Sequence, residues 1–183
     1  MSMVLRRMGK SVLMVEQGRH PRFAIGESST PFANLLLEKI ATDYNLPFLR
    51  GFAEWGSWQK HHRDIAVGLK RGFSFFHHPP GARTEFSARD KQLLVAASPN
   101  DPLADTHWYR PEFDKYLVEQ AVELGVDYLD QTLLQSVERV GSGWEICLER
   151  IGGERRVRTE FIIDATGANS VLAEQLSIPK FNF

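Results

Sequence analysis

The stretch Met1-Ser-Met-Val-Leu-Arg-Arg-Met-Gly-Lys-Ser-Val-Leu-Met-Val-Glu16 decides the predicted fold. Met1–Met8 has the pattern of the last turns of a helix, and Gly9-Lys10 that of a turn. Ser11–Glu16 then has the pattern of a buried strand that ends in an acid. A helix that runs into a buried strand is the second half of a β-α-β crossover, so the sequence predicts an α/β protein.

The acid at the end of that strand, Glu16, is a candidate ribose ligand. A carboxylate at the tip of a parallel strand can accept hydrogen bonds from both ribose hydroxyls of an adenosine. A surface acid that merely ends a strand is the alternative. The sequence begins with the second half of the crossover, so we expect the first strand and its glycine-rich pyrophosphate turn to be missing from this chain. We therefore predict a single partial nucleotide-binding domain over residues 1–183, and we expect the chain alone to be inactive because that turn supplies the amides for the pyrophosphate.

Composition places the chain among ordinary globular proteins. It is 43% hydrophobic and 25% charged with a net charge of −1, so a nucleic-acid partner is not expected. No apolar run reaches the roughly 18–20 residues that cross a bilayer, and Val12–Val15 is too short for a signal-peptide core. The single cysteine, Cys147, fits a reducing compartment. We predict a cytoplasmic protein without a membrane span.

Hydrophobic periodicity predicts α/β elements at both ends of the chain and an antiparallel insert between them. Helices are predicted at Pro31–Thr42, Pro111–Leu124 and Ser170–Leu176, with a short helix or a lid at Phe52–Trp58. Strands are predicted at Ile65–Leu69, Gly72–His77, Gln92–Ala97, Val126–Leu129, Leu133–Val140, Trp144–Arg150 and Val157–Ile163. Loops are predicted at Pro79–Arg89 and Ser98–Thr106.

A second candidate site lies in Arg22 and the stretch Gly26-Glu27-Ser28-Ser29-Thr30-Pro31. Glycine lets the backbone approach a flat ring closely, and the hydroxyls precede a helix N-terminus, which favours an anion. A capped helix start is the simpler explanation, but it requires only Thr30-Pro31. Gly26, Glu27 and Ser28 therefore favour a binding site.

Two more motifs carry candidate ligands. Arg110, directly before a predicted helix, could pair with a phosphate or with a flavin edge, or instead with Glu112 or Asp114. Asp164-Ala-Thr-Gly167 follows an apolar strand, and such a turn brings backbone amides to the edge of the sheet where open α/β folds bind ligands. Each motif is weak alone.

In this order the motifs resemble the FAD-dependent monooxygenase superfamily, and most closely its flavin-dependent halogenases. The resemblance covers nearly the whole chain and also matches Tyr109–Asp114 to a helix start of the family. One serine of Gly26–Pro31 departs from the usual spacing, and the family's later motifs are expected beyond residue 183. The resemblance implies that FAD is bound by Glu16, Arg22, Gly26, Glu27, Ser28, Arg110, Asp164 and Gly167.

A fifth match concerns catalysis. Halogenases of this group carry a lysine shortly before an aromatic strand, and its ammonium guides or captures hypohalous acid. Lys70 falls at that place by its spacing to Phe75, and a primary amine suits the role. The alternative is a solvated Lys70-Arg71 turn between two strands.

The resemblance implies an FAD-dependent, halogenase-like monooxygenase that acts on an aromatic or similar small molecule, with a separate flavin reductase as a further partner. One alternative is an FAD-dependent reductase of the geranylgeranyl-reductase type, and another is a non-catalytic module without flavin. A metal site is not expected, because the neighbouring histidines of His61-His62 and His77-His78 would point to opposite faces of a strand.

Overall fold

The computed structural model describes residues 1–81, 83 and 89–179. Contacts divide the chain into two compact units. The first unit comprises Met1–Val12 and His20–Val126, and the second comprises Leu13–Arg19 and Asp127–Phe183. A single domain over the whole chain stays a prediction.

Helices and strands follow one another along the chain, and the predicted α/β class with an antiparallel insert is confirmed. The helices are α1 (Ser2–Arg7), α2 (Pro31–Asp43), α3 (Trp55–His61), α4 (Arg110–Glu123) and α5 (Val171–Gln175). The strands are β1 (Leu13–Val15), β2 (Val67–Lys70), β3 (Gly72–Phe76), β4 (Gln92–Ala96), β5 (Asp105–Trp108), β6 (Asp127–Leu129), β7 (Thr132–Val140), β8 (Gly143–Arg150) and β9 (Gly153–Thr159). Short 3-10 helices cover Pro47–Phe52, Arg89–Lys91 and Gly167–Asn169. The predicted loop at Pro79–Arg89 lies largely outside the described residues.

The first unit contains two antiparallel strand pairs, β2 with β5 and β3 with β4. The chain leaves β2 at Lys70 and enters β3 at Gly72, where it changes its partner strand. A Cβ at Gly72 would lie 2.1 Å from the Val95 carbonyl oxygen, so only glycine permits this close approach of β3 to β4. Lys70 therefore ends a strand rather than standing in a hairpin turn.

An aromatic cluster forms the core of the first unit. Phe52 is fully buried, and its ring centroid lies 4.7 Å from that of Trp58 and 5.0 Å from that of Phe113. The helix α2 packs here, and it begins where predicted because the Thr30 hydroxyl accepts a hydrogen bond from the Ala33 amide (3.2 Å). The predicted helix or lid at Phe52–Trp58 overlaps the short helix α3, and Phe52 and Trp58 belong to the core.

We expect the imidazole of His62 to make the stability of the protein depend on pH. It stacks on Phe52, with the ring centroids 3.8 Å apart, and its Nε2 lies 3.1 Å from the Phe48 carbonyl oxygen. Burial lowers the pKa of His62 from its usual 6.5, and the hydrogen bond to Phe48 opposes that effect only in part. The unfolded chain therefore binds this proton more readily than the folded chain, so stability falls as the pH falls from 6.5 through the lowered pKa.

We expect urea unfolding at pH 7.5 and pH 5.5 to show this loss, and His62→Gln to reduce it. His61→Gln is the matched control, because His61 is exposed at the end of α3. An unchanged pH dependence in His62→Gln would contradict the assignment.

The second unit joins a parallel pair to an antiparallel sheet. β1 pairs in parallel with β6, and β7, β8 and β9 form an antiparallel sheet in that order. The parallel pair confirms the strand that was predicted after the first helix, but the prediction that this strand is buried was wrong, since Leu13 and Met14 are half-buried and Val15 is exposed. The antiparallel strands carry alternating apolar side chains, among them the half-buried Cys147.

Two predictions of secondary structure were wrong. The last strand was predicted at Val157–Ile163, but β9 ends at Thr159, and Phe161 and Ile163 are exposed. A loop was predicted at Ser98–Thr106, but β5 begins at Asp105. This segment is a strand because it has backbone partners on both sides. A membrane-crossing helix is absent from the described part of the chain, since none of its helices is long and apolar enough.

Candidate functional site

The predicted Gly26–Ser28 segment is held against β5 by backbone hydrogen bonds. The Trp108 amide donates to the Glu27 carbonyl (2.8 Å), and the Ser29 amide donates to the Thr106 carbonyl (2.9 Å). β5 therefore lies between β2 on one side and residues 27–29 on the other. This pairing fixes the segment in an extended form directly before the N-terminus of α2.

An open depression of about 320 Å³ lies over this segment. It is lined by Phe23, Ile25, Gly26, Glu27, Ser28 and His107. Gly26 has φ of +90°, which favours glycine, and leaves backbone rather than a side chain at the surface of the depression. A flat ring could therefore approach the backbone closely here, flanked by apolar side chains.

The guanidinium of Arg110 ties this segment to α4. Its Nε and Nη2 donate to the two carboxylate oxygens of Asp114 (2.7 and 2.8 Å). Its Nη1 donates to the carbonyls of Ile25 (2.8 Å) and Gly26 (3.1 Å). The hydrogen bond to Asp114 raises the pKa of Arg110 further above its usual value. Arg110 is thus placed to orient the Gly26 turn. Of the partners that the sequence suggested for Arg110, the structure shows Asp114.

Lys70 is buried, and only 6% of it is exposed. Its Nζ donates a hydrogen bond to the Ser29 carbonyl and lies 3.9 Å from the centroid of the Phe73 ring. The alternative of a solvated turn is therefore wrong for Lys70, whereas Arg71 is exposed and paired with Asp101. Burial lowers the pKa of Lys70, and the charge of Asp105 opposes that effect. Lys70 is thus linked to the Gly26–Ser28 segment by its hydrogen bond to the carbonyl of the next residue, Ser29.

A buried polar network surrounds Lys70. Asp105 is its register partner across the β2–β5 ladder, and the Asn34 amide donates to Asp105 Oδ1 (2.8 Å). The Thr106 amide donates to Ser29 Oγ (2.8 Å), which fixes the segment whose carbonyl Lys70 contacts. Burial raises the pKa of Asp105, while Lys70 and the Asn34 hydrogen bond lower it.

Three residues of this site were missed by the sequence analysis: Asn34, Asp105 and His107. Asp105 was missed because Ser98–Thr106 was interpreted as a loop, and His107 was missed because no strand was predicted after that loop. Asp105-Thr-His-Trp108 shows no alternation of apolar and polar residues that would indicate a strand. Asn34 stands in a predicted helix, and nothing local shows that it contacts a carboxylate 71 positions away.

Arg22 is half-buried in the segment that leads to the depression. Its predicted role toward the cofactor stays a prediction. Within the described ranges, histidine, cysteine and acidic side chains do not gather into a group of three that could hold a metal ion.

The remaining predicted ligands belong to the second unit. Glu16 directly follows β1, its amide donates to the Leu129 carbonyl (2.9 Å), and its Oε1 accepts from the Gly18 amide (2.8 Å). The acid therefore stands at the carboxyl end of a parallel strand, as predicted. This is the edge at which such sheets bind nucleotides.

Asp164 organises the turn that follows β9. Its Oδ1 accepts from the Thr166 amide (2.9 Å) and hydroxyl (2.6 Å), and its Oδ2 accepts from the Leu172 amide (3.0 Å). These hydrogen bonds, above all the Thr166 hydroxyl, lower the pKa of Asp164 to about 2. Gly167 has φ of +75° with open space where a Cβ would stand. The carboxylate thus shapes the turn and leaves the backbone at Gly167 accessible.

Comparison with known proteins identifies the relatives of this chain. It is 30% identical over 181 residues to the monodechloroaminopyrrolnitrin halogenase PrnC of Pseudomonas fluorescens, covering 97% of this chain. A shorter match, 35% identical over 65 residues and 36% of this chain, is to the digeranylgeranylglycerophospholipid reductase of Methanocaldococcus jannaschii, of which it covers 17%. No family model matches the chain.

Among solved structures, the halogenase PltM in complex with phloroglucinol and FAD superimposes with a TM-score of 0.80 at 26% identity, covering 96% of this chain. The matched region is one part of each relative. The chain spans 30% of the length of PrnC and 33% of the length of the PltM chain.

Proposed function

This chain is homologous to the flavin-dependent halogenases along nearly its whole length, and on that premise we propose that it is an FAD-binding part of a halogenase-like oxidoreductase. The observation that carries the proposal is the buried Lys70, which meets the Gly26–Ser28 segment through the Ser29 carbonyl. An aromatic small molecule is the proposed substrate class. PrnC and PltM are named for, or crystallised with, different aromatic compounds, so the individual substrate is not transferred from either.

Residues of the first unit are proposed to contact one face of a flavin. The open depression offers backbone at Gly26 and apolar contact at Phe23 and Ile25. Glu16 and Asp164–Gly167 of the second unit are proposed to bind the ribose and phosphate side of FAD, and Arg22 to pair with its negative charge. When bound and reduced, FAD would, together with oxygen, supply the oxidation of halide to hypohalous acid.

Lys70 is proposed as the catalytic residue. An ammonium held by the Ser29 carbonyl can donate a further hydrogen bond to the oxygen of hypohalous acid and so orient its halogen toward the substrate. The burial of Lys70 excludes bulk water around this group, which strengthens that hydrogen bond. A cytoplasmic location and a separate flavin reductase belong to the same proposal, because reduced flavin has to be supplied under reducing conditions.

The proposal is tested on the complete protein encoded by its gene. We expect it to purify with bound FAD, visible in its absorbance, and to give halogenated products from phenols or pyrroles when reduced flavin, oxygen and bromide are supplied. A protein that neither retains nor binds added FAD overturns the proposal. A flavoprotein that instead saturates an isoprenoid double bond supports the reductase alternative, for which the match to the archaeal reductase is the motivating observation.

Arg110 gives a separate prediction for cofactor binding. Arg110→Lys removes the two-point pairing with Asp114 and the hold on the Gly26 turn, because an ammonium cannot form the same planar fork. We expect the affinity for FAD to fall by roughly 10-fold, measured by flavin fluorescence titration. Lys115→Arg on the same helix is the matched control, since the Lys115–Glu119 pair is exposed. Equal affinities in both variants would contradict the role of Arg110.

A further inference from the structure

Two buried residues of opposite charge face each other on the β2–β5 ladder. Lys70 and Asp105 are register partners, with 6% and 2% of each residue exposed. Directly opposed residues of an antiparallel pair project from the same face of the sheet. Burying a carboxylate costs several kcal/mol unless it is paired and hydrogen-bonded, so a charged Asp105 requires compensation close by.

Asn34 supplies part of that compensation. Its side-chain amide donates to Asp105 Oδ1, and it reaches the strand from the first turns of α2. Asp105 Oδ2 is also buried, and within the described part of the chain it accepts no hydrogen bond. A hydrogen bond therefore fixes one oxygen of the Asp105 carboxylate, while the positive charge of Lys70 stabilises the carboxylate as a whole.

The surroundings of Lys70 offer it one counter-charge. From the segment before α2 it meets the Ser29 carbonyl, and from β3 it meets the face of the Phe73 ring. Both are neutral groups that favour a cation. Among the described residues, Asp105 on β5 is the ionisable group whose charge acts on Lys70.

We propose that Asp105, fixed by Asn34, is a positioning residue that holds the side chain of Lys70 in its cationic form on this face of the sheet. The inference rests on the proposed catalytic function of Lys70. It assigns Asp105 and Asn34 a part in that function, although neither is proposed to contact FAD or substrate.

The charge on Lys70 decides which reaction with hypohalous acid occurs. The ammonium donates a hydrogen bond to the oxygen of hypohalous acid and leaves the O–halogen bond intact. The neutral amine attacks the halogen instead, so that an N–halogen bond forms, the O–halogen bond breaks, and a proton from the amine leaves with the hydroxide as water. Asp105 favours the first outcome because it stabilises the proton on Lys70.

The test follows the titration of Lys70 by NMR of protein labelled with ¹³Cε-lysine, in which Lys70→Arg assigns the signal. Asp105→Asn keeps the shape of the side chain and removes its charge, so we expect the titration midpoint of Lys70 to fall by about one pH unit or more. Asn34→Leu is expected to lower the midpoint in the same direction by less, because it removes the hydrogen bond that keeps Asp105 ionised. Asp101→Asn is the matched control, since Asp101 pairs with the neighbouring Arg71 at the surface.

The alkaline limb of the halogenation rate against pH should move by the same amount in Asp105→Asn. A merely structural role would lower stability, measured by thermal unfolding, without moving the midpoint. A midpoint in both folded variants equal to that of the control overturns the inference, whether or not the protein halogenates. If the midpoint of Lys70 shifts in Asp105→Asn but the protein neither binds FAD nor halogenates, the proposed function is overturned. The coupling of Asp105 to Lys70 is then still supported.

Discussion

Lys70→Met is expected to lower the rate of halogenation by at least about 100-fold while FAD stays bound, because it removes the ammonium that is proposed to orient hypohalous acid. Methionine fills a similar volume over Phe73 and carries no charge. Product formation is measured by mass spectrometry with bromide and a phenol, and bound FAD by absorbance. Lys60→Met is the control, since Lys60 is exposed near the end of α3.

Loss of folding must be separated from loss of chemistry in this experiment. Lys70→Met leaves the buried Asp105 without its counter-charge, which on its own costs about 3–5 kcal/mol. The double variant Lys70→Met with Asp105→Asn removes both charges and is expected to recover most of that stability. Halogenation that returns with stability in the double variant would show that Lys70 is structural and would contradict its catalytic role.

Phe52→Ala is expected to lower the free energy of unfolding by about 3–5 kcal/mol, because it opens a cavity in the centre of the first unit. The ring is fully buried and contacts the rings of Trp58, His62 and Phe113 at centroid distances of 4.7, 3.8 and 5.0 Å. A change of that size is a large part of the stability of an ordinary domain. Urea unfolding followed by tryptophan fluorescence measures it.

Phe32→Ala is the matched control for Phe52. The same substitution is made on α2, but 69% of Phe32 is exposed, so little packing is lost. We expect its effect to stay within about 0.5 kcal/mol. Equal losses in the two variants would place the core elsewhere.

Local patterns were sufficient for most helices and strands of this chain. Thr30-Pro31 predicted the start of α2 because a capping hydroxyl and a fixed φ act within a few residues. The strands β1, β7 and β8 were also predicted, since each depends on short-range periodicity. Local patterns failed at β5 and after Thr159. β5 is a strand because of partners far away in the chain, and the apolar residues of 160–163 look like a strand but have no partner strand within the described residues.

The sequence by itself determined the α/β class, the order of the motifs and the choice of Lys70 and Gly26–Ser28 as candidate site residues. These depend on residue types and spacings that can be seen along the chain. The tertiary structure alone decided that Lys70 is buried, that Arg110 donates to the carbonyls of Ile25 and Gly26, and that Asp105, held by Asn34, lies opposite the lysine. Burial and counter-charge are properties of neighbours in space. They arise because β5 lies between β2 and residues 27–29, and no short window of sequence contains all three segments.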